Sequence, residues 1–199
     1  MAGVLAIAGC GQPTPTAQSV SPSPSPEATA AASVPSVASP QPSAAASVSV
    51  DPALLDLLPD EVQGQALRAD DETAVEVAGS GDLAADIEAI AVGLYIQPGS
   101  STADDLAIVN VVRLRPGVFG DAWFRSWRST YDDGACEVAG GVAPGAAVTE
   151  IGGHETHIGS CQGGVHTYHV HLASPDRIIS ITAAGEGRFG ERVVAGLTE

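Results

Sequence analysis

Apolar positions recur with a readable period only from Asp51 onward, and that pattern alone divides the chain. Thr73 to Ala78 alternates as a strand would. After Gly79-Ser80-Gly81, Asp82 is placed to cap a short helix whose apolar face is Leu83, Ile87 and Ile90. Gly93 is one stop for that helix, but Ile90, Val92, Leu94 and Ile96 alternate, so the expectation is a helix to about Ala89 and a strand to Gln97. Pro98-Gly99-Ser100-Ser101 then supplies a turn. Leu106 to Leu114 is apolar on both faces, which predicts a central strand covered on both sides.

A second helix from Asp121 to about Tyr131 sets Trp123, Phe124, Trp127 and Tyr131 along one stripe, with Gly134 as its stop. Such a stripe could be an aromatic binding surface; at helical spacing the expectation is core. The last third reads as strands. Ala147 to Ile151 and His154 to Cys161 flank Gly152-Gly153, the mark of a tight hairpin. Val165 to Leu172 and Arg177 to Ala183 form a second hairpin, whose pairing puts Tyr168, Val170, Ile179 and Ile181 on one core face. A terminal helix carries Phe189, Val193 and Leu197 at spacings of four. The sum is an α+β fold: a single domain at 51–199 with an antiparallel sheet of about six strands packed against two or three helices.

Composition sharpens the division. Eight of the 14 prolines lie between Pro13 and Pro42, in a stretch of Ser, Ala, Pro, Thr, Val and Gln whose one charged residue is Glu27. That composition buries too little apolar surface to offset its ordering entropy, so residues 11–50 are expected to form a disordered, partly polyproline-II linker. The net charge is −16, with eight Arg and no Lys. Schiff-base, phosphate-loop and kinase-type lysine chemistry is thereby excluded, and no nucleic-acid partner is expected. The longest apolar stretches fall short of the ~20 residues of a transmembrane helix.

The first ten residues end in Ile7-Ala8-Gly9-Cys10. This resembles the lipobox of bacterial lipoproteins, in which an aliphatic residue and two small residues precede a cysteine that receives lipid. The resemblance implies a signal at residues 1–10, lipid on Cys10, and a membrane partner reached through that anchor. An upstream start would supply the basic residues that usually open such a signal. From Val148 to Leu197 the layout also resembles the folded part of uncharacterised bacterial lipoproteins, a family that implies no activity. An exported domain with two further cysteines, Cys136 and Cys161, is expected to join them as a disulfide.

All five histidines fall between His154 and His171: His154, His157, His166, His169 and His171. A looser metal site would use His169 and His171 with His157, Glu150 or Glu155. Period-2 geometry offers a simpler account. If Tyr168 and Val170 point inward, His169 and His171 belong on the opposite face beside Ser180 and Thr182, open to solvent and without a common partner. Neither a metal nor another cofactor is therefore assigned. His154-Glu155-Thr156-His157 lacks the i, i+4 spacing of a zincin helix. Gly159-Ser160-Cys161-Gln162-Gly163 has the spacing of a nucleophile elbow but precedes a strand, not a helix. The acidic pairs, Asp132-Asp133 among them, are read as solvation and capping at turns and element ends.

The functional expectation is a monomeric, lipid-anchored, extracytoplasmic domain that binds a protein or envelope partner without catalysis. A zinc- or copper-binding protein is the alternative. In cells expressing the chain from its true start, a fatty-acid probe should label the wild type, and Cys10→Ala should abolish both label and anchor. An unlabelled wild type would sink the lipobox reading.

Overall fold

The computed structural model describes residues 47–97, 105–174 and 176–198. The segment 1–46, with its lipidation and linker assignments, lies outside the described residues. The fold begins slightly earlier than the pattern suggests. Ser49–Val50, assigned to the linker, is strand β1, paired in parallel with Ala89 and Ile90. A 3₁₀ helix at Pro52–Leu57 follows, then the short hairpin β2 (Glu61–Val62) and β3 (Gln65–Ala66), and β4 (Arg68–Ala69).

Helix α1 occupies Asp71–Gly79, where a strand was expected. The Thr-Val-Val alternation is real, but Asp70 caps the segment by accepting from Thr73 N (3.1 Å) and Thr73 Oγ1 (2.8 Å), and Asp71 and Glu72 sit in the first turn. Acidic residues at a helix start stabilise its exposed N–H groups, and that end effect outweighs the β-branched preference. The helix expected after Asp82 is absent. Residues 82–86 form turns, and β5 (Ile87–Gln97) begins at once. Strand β6 (Asp105–Leu114) is the expected central strand.

Helix α2 (Asp121–Glu137) runs through Gly134, the expected stop. A mid-helix glycine costs only about 1 kcal/mol relative to alanine. Cys136, in the last turn, is tied to Cys161 at disulfide distance (S–S 2.01 Å, Cα–Cα 5.0 Å), so the final turn has an anchor. The chain leaves the helix through Gly140 and Gly141, both at positive φ.

After α2 come β7 (Val142–Ile151), β8 (His154–Cys161), β9 (His166–Ala173), β10 (Asp176–Ala184) and α3 (Phe189–Ala195). Gly152 (φ 61°) and Gly153 (φ 89°) make the tight β7–β8 turn. The sheet has eight strands, more than the six expected, in the order β1-β5-β6-β10-β9-β8-β7, with β4 also on β5. Its main ladders are antiparallel, and the β1–β5 pair makes it mixed. Chain order explains the layout: α2 crosses from β6 to the far edge, and the β7–β10 meander returns to close on β6. The outer strand β7 is largely exposed, and it carries Pro144 and an irregularity between Ala143 and Ala147, which blunt an open edge.

One sheet face is apolar. Ala91, Tyr95, Val109, Val111, Tyr168, Val170, Ile179 and Ile181 pack beneath the 3₁₀ helix and α3, whose Phe189 and Val193 are fully buried. Tyr168, Val170, Ile179 and Ile181 share one core face as expected, with Val170 opposite Ile179 and Tyr168 opposite Ile181. The opposite face holds a smaller cluster, Ile87, Ile90, Val112, Leu114, Phe124 and Ile178, with α1 and α2 against it. The Cys136–Cys161 bridge spans 25 residues of sequence, joining α2 to β8. On the chain-entropy model it contributes about 3.5 kcal/mol. Reduction, or Cys136→Ala with Cys161→Ala, should lower the melting temperature by about 10 °C, read by circular dichroism.

Candidate functional site

The register of β9 and β10 is as expected, but the face it exposes is not open. His169 stands opposite Ser180 on the paired strand, and it is only 1% exposed because α2 lies over it. The expectation of solvated rings fails here, not through a slipped register but because the sheet is covered on both sides.

A buried polar face must be hydrogen-bonded, and α2 supplies the partners. Trp127 Nε1 donates to Ser180 Oγ at 3.0 Å. Ser180 Oγ lies 3.0 Å from His169 Nδ1, and His169 Nε2 lies 2.9 Å from Asp132 Oδ1. Thr167 Oγ1 donates to the same carboxylate at 2.5 Å. Tyr131 OH accepts from Asn110 Nδ2 (3.0 Å) and Thr182 Oγ1 (3.1 Å) and donates to Ser180 O (3.3 Å). Asp132, read from sequence as a solvated turn residue, is thus an inward anchor. Gly159 makes room for it: a Cβ there would lie 2.3 Å from Thr167 Oγ1 and 2.9 Å from the Asp132 carboxylate.

Ser180, His169 and Asp132 have the distances of a catalytic triad, yet the chemistry is blocked. The serine is fully buried and its oxygen takes the Trp127 hydrogen. It sits mid-strand in β10, paired on both sides, so the backbone around it is engaged in the sheet and not arranged to hold an oxyanion.

The other histidines do not converge. His157 Nε2 meets Glu155 at 3.3 Å and His171 Nε2 meets Asp176 at 3.1 Å, while His171 stacks on Phe119. His166 Nδ1 lies beside Ser160 Oγ at 3.3 Å. Each of His157, His169 and His171 therefore has its own carboxylate. Among the described residues no group of three His, Cys, Asp or Glu is placed to hold a metal. Glu150 faces Glu155 across the β7–β8 pair, and His154 contributes its carbonyl to Thr156.

What the chain does assemble is a cleft of about 650 Å³ on the same sheet face. Ile90, Ile108, Asn110, Val112 and Thr182 form its floor, α2 gives one wall through Trp123, Trp127 and Tyr131, and Val77, Asp82, Leu83 and Asp86 give the other. The aromatic stripe accordingly divides its duties. Phe124 is core, as expected of the whole stripe, whereas Trp123, Trp127 and Tyr131 stay half-buried and line the cleft. The two indoles stack with centroids 5.5 Å apart, and Trp123 Nε1 donates to Asp86 Oδ2 at 2.8 Å. Burial pushes the Tyr131 phenol up, so it stays protonated as a donor.

Asp132 within the network and His157 beside it make stability depend on acid. Burial opposes ionisation of Asp132, but the His169 and Thr167 hydrogen bonds and the charges of His169 and Arg128 outweigh it and hold its carboxyl below the usual aspartate range. Burial, then the Arg128 charge, pushes His157 down against the pull of Glu155. A depressed histidine is neutral in the fold but protonates in the unfolded chain below about pH 6.5, so stability falls from there. A depressed carboxylate adds its loss below about pH 4, as pH drops through the folded-state value. Urea unfolding from pH 7 to 3 should show both steps. His157→Gln should remove the upper one and Asp132→Asn the lower, with Asp132→Asn also costing about 1.5–3 kcal/mol at neutral pH.

Comparison of the chain with protein-family models, curated proteins and solved structures gives no match, so function has to be argued from the cleft itself.

Proposed function

We propose that this protein is a non-enzymatic binding module, held outside the cell membrane by lipid on Cys10, whose cleft between α1 and α2 takes a small, largely apolar molecule. The cleft carries this reading. Its volume of about 650 Å³ lies within the range of small-molecule sites, and its lining is mainly aromatic and aliphatic with a few polar groups at fixed places. Ile108 is an exposed isoleucine on the floor, apolar surface left uncovered in a domain that buries the rest of its central strands well. Against catalysis stands the sealed Ser180, and against the metal alternative the separate carboxylate held by each of three imidazoles. The anchor reading rests on Ile7 to Cys10 and the Pro/Ser/Ala segment after it; no described helix is long and apolar enough to cross a membrane.

The chain has two tryptophans and both line the cleft, so tryptophan emission, excited selectively over tyrosine, reports this site alone. N-phenyl-1-naphthylamine, which absorbs where indole emits, should quench that emission saturably. Gly134 lines the same cleft, and a Cβ added there meets nothing within 4 Å. Gly134→Leu should fill the cleft and weaken probe binding at least about tenfold, while leaving the melting temperature unchanged or higher because a helix glycine is removed. Unquenched tryptophans up to the probe's solubility, or equal binding by Gly134→Leu, would overturn the cleft reading.

A further inference from the structure

We propose that the cleft selects an organic cation, an ammonium group on an aromatic or branched apolar body; this rests on the reading of the cleft as a small-molecule site. The first ground is what its walls can still offer. Both indole N–H groups are spent within the protein, Trp123 on Asp86 and Trp127 on Ser180. The tryptophans therefore present carbon and π-electrons to an occupant, not hydrogen-bond donors. Indole is the aromatic side chain that attracts a cation most strongly.

The second ground is charge. Among the described residues, Asp82 and Asp86 are the only charged side chains lining the cleft, and none of the eight arginines lines it. Among the described residues neither carboxylate has a salt-bridge partner. Asp86 commits one oxygen to Trp123, and Asp82 is exposed. An anion entering here would meet two carboxylates and no counter-charge. A neutral occupant would leave both charges without a counter-charge, whereas a cation supplies one. The net charge of −16 adds an attractive field at long range.

Three probes of like size separate the possibilities on the full-length chain, each read by tryptophan emission: benzyltrimethylammonium, its neutral isostere neopentylbenzene, and anionic benzenesulfonate. The cation should bind at least about tenfold more tightly than the isostere in low salt, and the anion most weakly. About 1 M salt should shrink the gap, since its screening length is about 3 Å. Asp82→Asn with Asp86→Asn should bring cation and isostere within about threefold. Asparagine at position 86 can still accept from Trp123, and Asp82→Asn alone, at an exposed position, should remove part of the preference if the double variant unfolds. Equal binding of cation and isostere to the wild type, or a gap that survives in the double variant, would overturn the cation proposal while the cleft still bound the isostere. Silence from all three probes would overturn the cleft reading and the proposal together.

Discussion

Hydrogen-bonding side chains on the second face of the sheet sit where a helix must lie on them, and most of the molecule follows from satisfying them. Thr167, His169 and Ser180 are fully or almost fully buried, and an unpaired polar group in such a place costs about 1–3 kcal/mol. The strands answer only part of the need, through the Ser180–His169 pair across β10 and β9. The rest comes from above, through Trp127, Tyr131 and Asp132 of α2. Three residues spaced four and one apart fix both the rotation of the helix and its height over β9 and β10.

The same constraint shapes the cleft. Trp123 is tied to Asp86, Phe124 is in the core, Trp127 and Tyr131 reach β10, Asp132 reaches β9, and Cys136 is at disulfide distance from β8. Nearly every turn of α2 has a tie, so the aromatic wall is a fixed part of the fold. Because those ties consume the indole N–H groups and engage the tyrosine hydroxyl, what remains facing the cleft is chiefly carbon. An apolar site thus arises from a polar network directly beneath it. The network needs the long aromatic side chains, and their length leaves ring surface uncovered between α2 and α1.

Sequence periodicity read the meander well. The β7–β8 turn at Gly152-Gly153, the β9–β10 register and the core face of Tyr168, Val170, Ile179 and Ile181 are set by local rules, glycine conformation and period-2 alternation, which a single sequence displays. At Thr73 to Ala78 two local signals compete, β-branched alternation and an acidic helix start, and the capping geometry of Asp70 decides for the helix. Burial of His169 was invisible for a different reason. Alternation tells which face a residue takes, but not whether a helix that ends 32 residues earlier in the sequence covers that face. The cleft was half-legible: the stripe Trp123, Trp127 and Tyr131 was apparent, whereas the opposing wall from Val77 to Asp86 is created by the fold.

The Ser180, His169 and Asp132 set shows why distance is a poor guide to chemistry. Hydrogen bonds of 3.0 and 2.9 Å would satisfy a search for a nucleophile, base and orienting acid. A nucleophile also needs a free lone pair, an approach for the substrate and donors where negative charge develops. Here the hydroxyl oxygen already accepts from an indole, the approach is closed by α2, and the neighbouring backbone belongs to a strand paired on both sides. Run from Trp127 through Ser180 and His169 to Asp132, the bonds close in one direction when Nε2 carries the ring hydrogen: each donor finds an acceptor and the carboxylate ends the chain. That is the arrangement a buried polar layer needs for stability, and it leaves the carbon faces of the same helix's aromatic side chains to line the cleft.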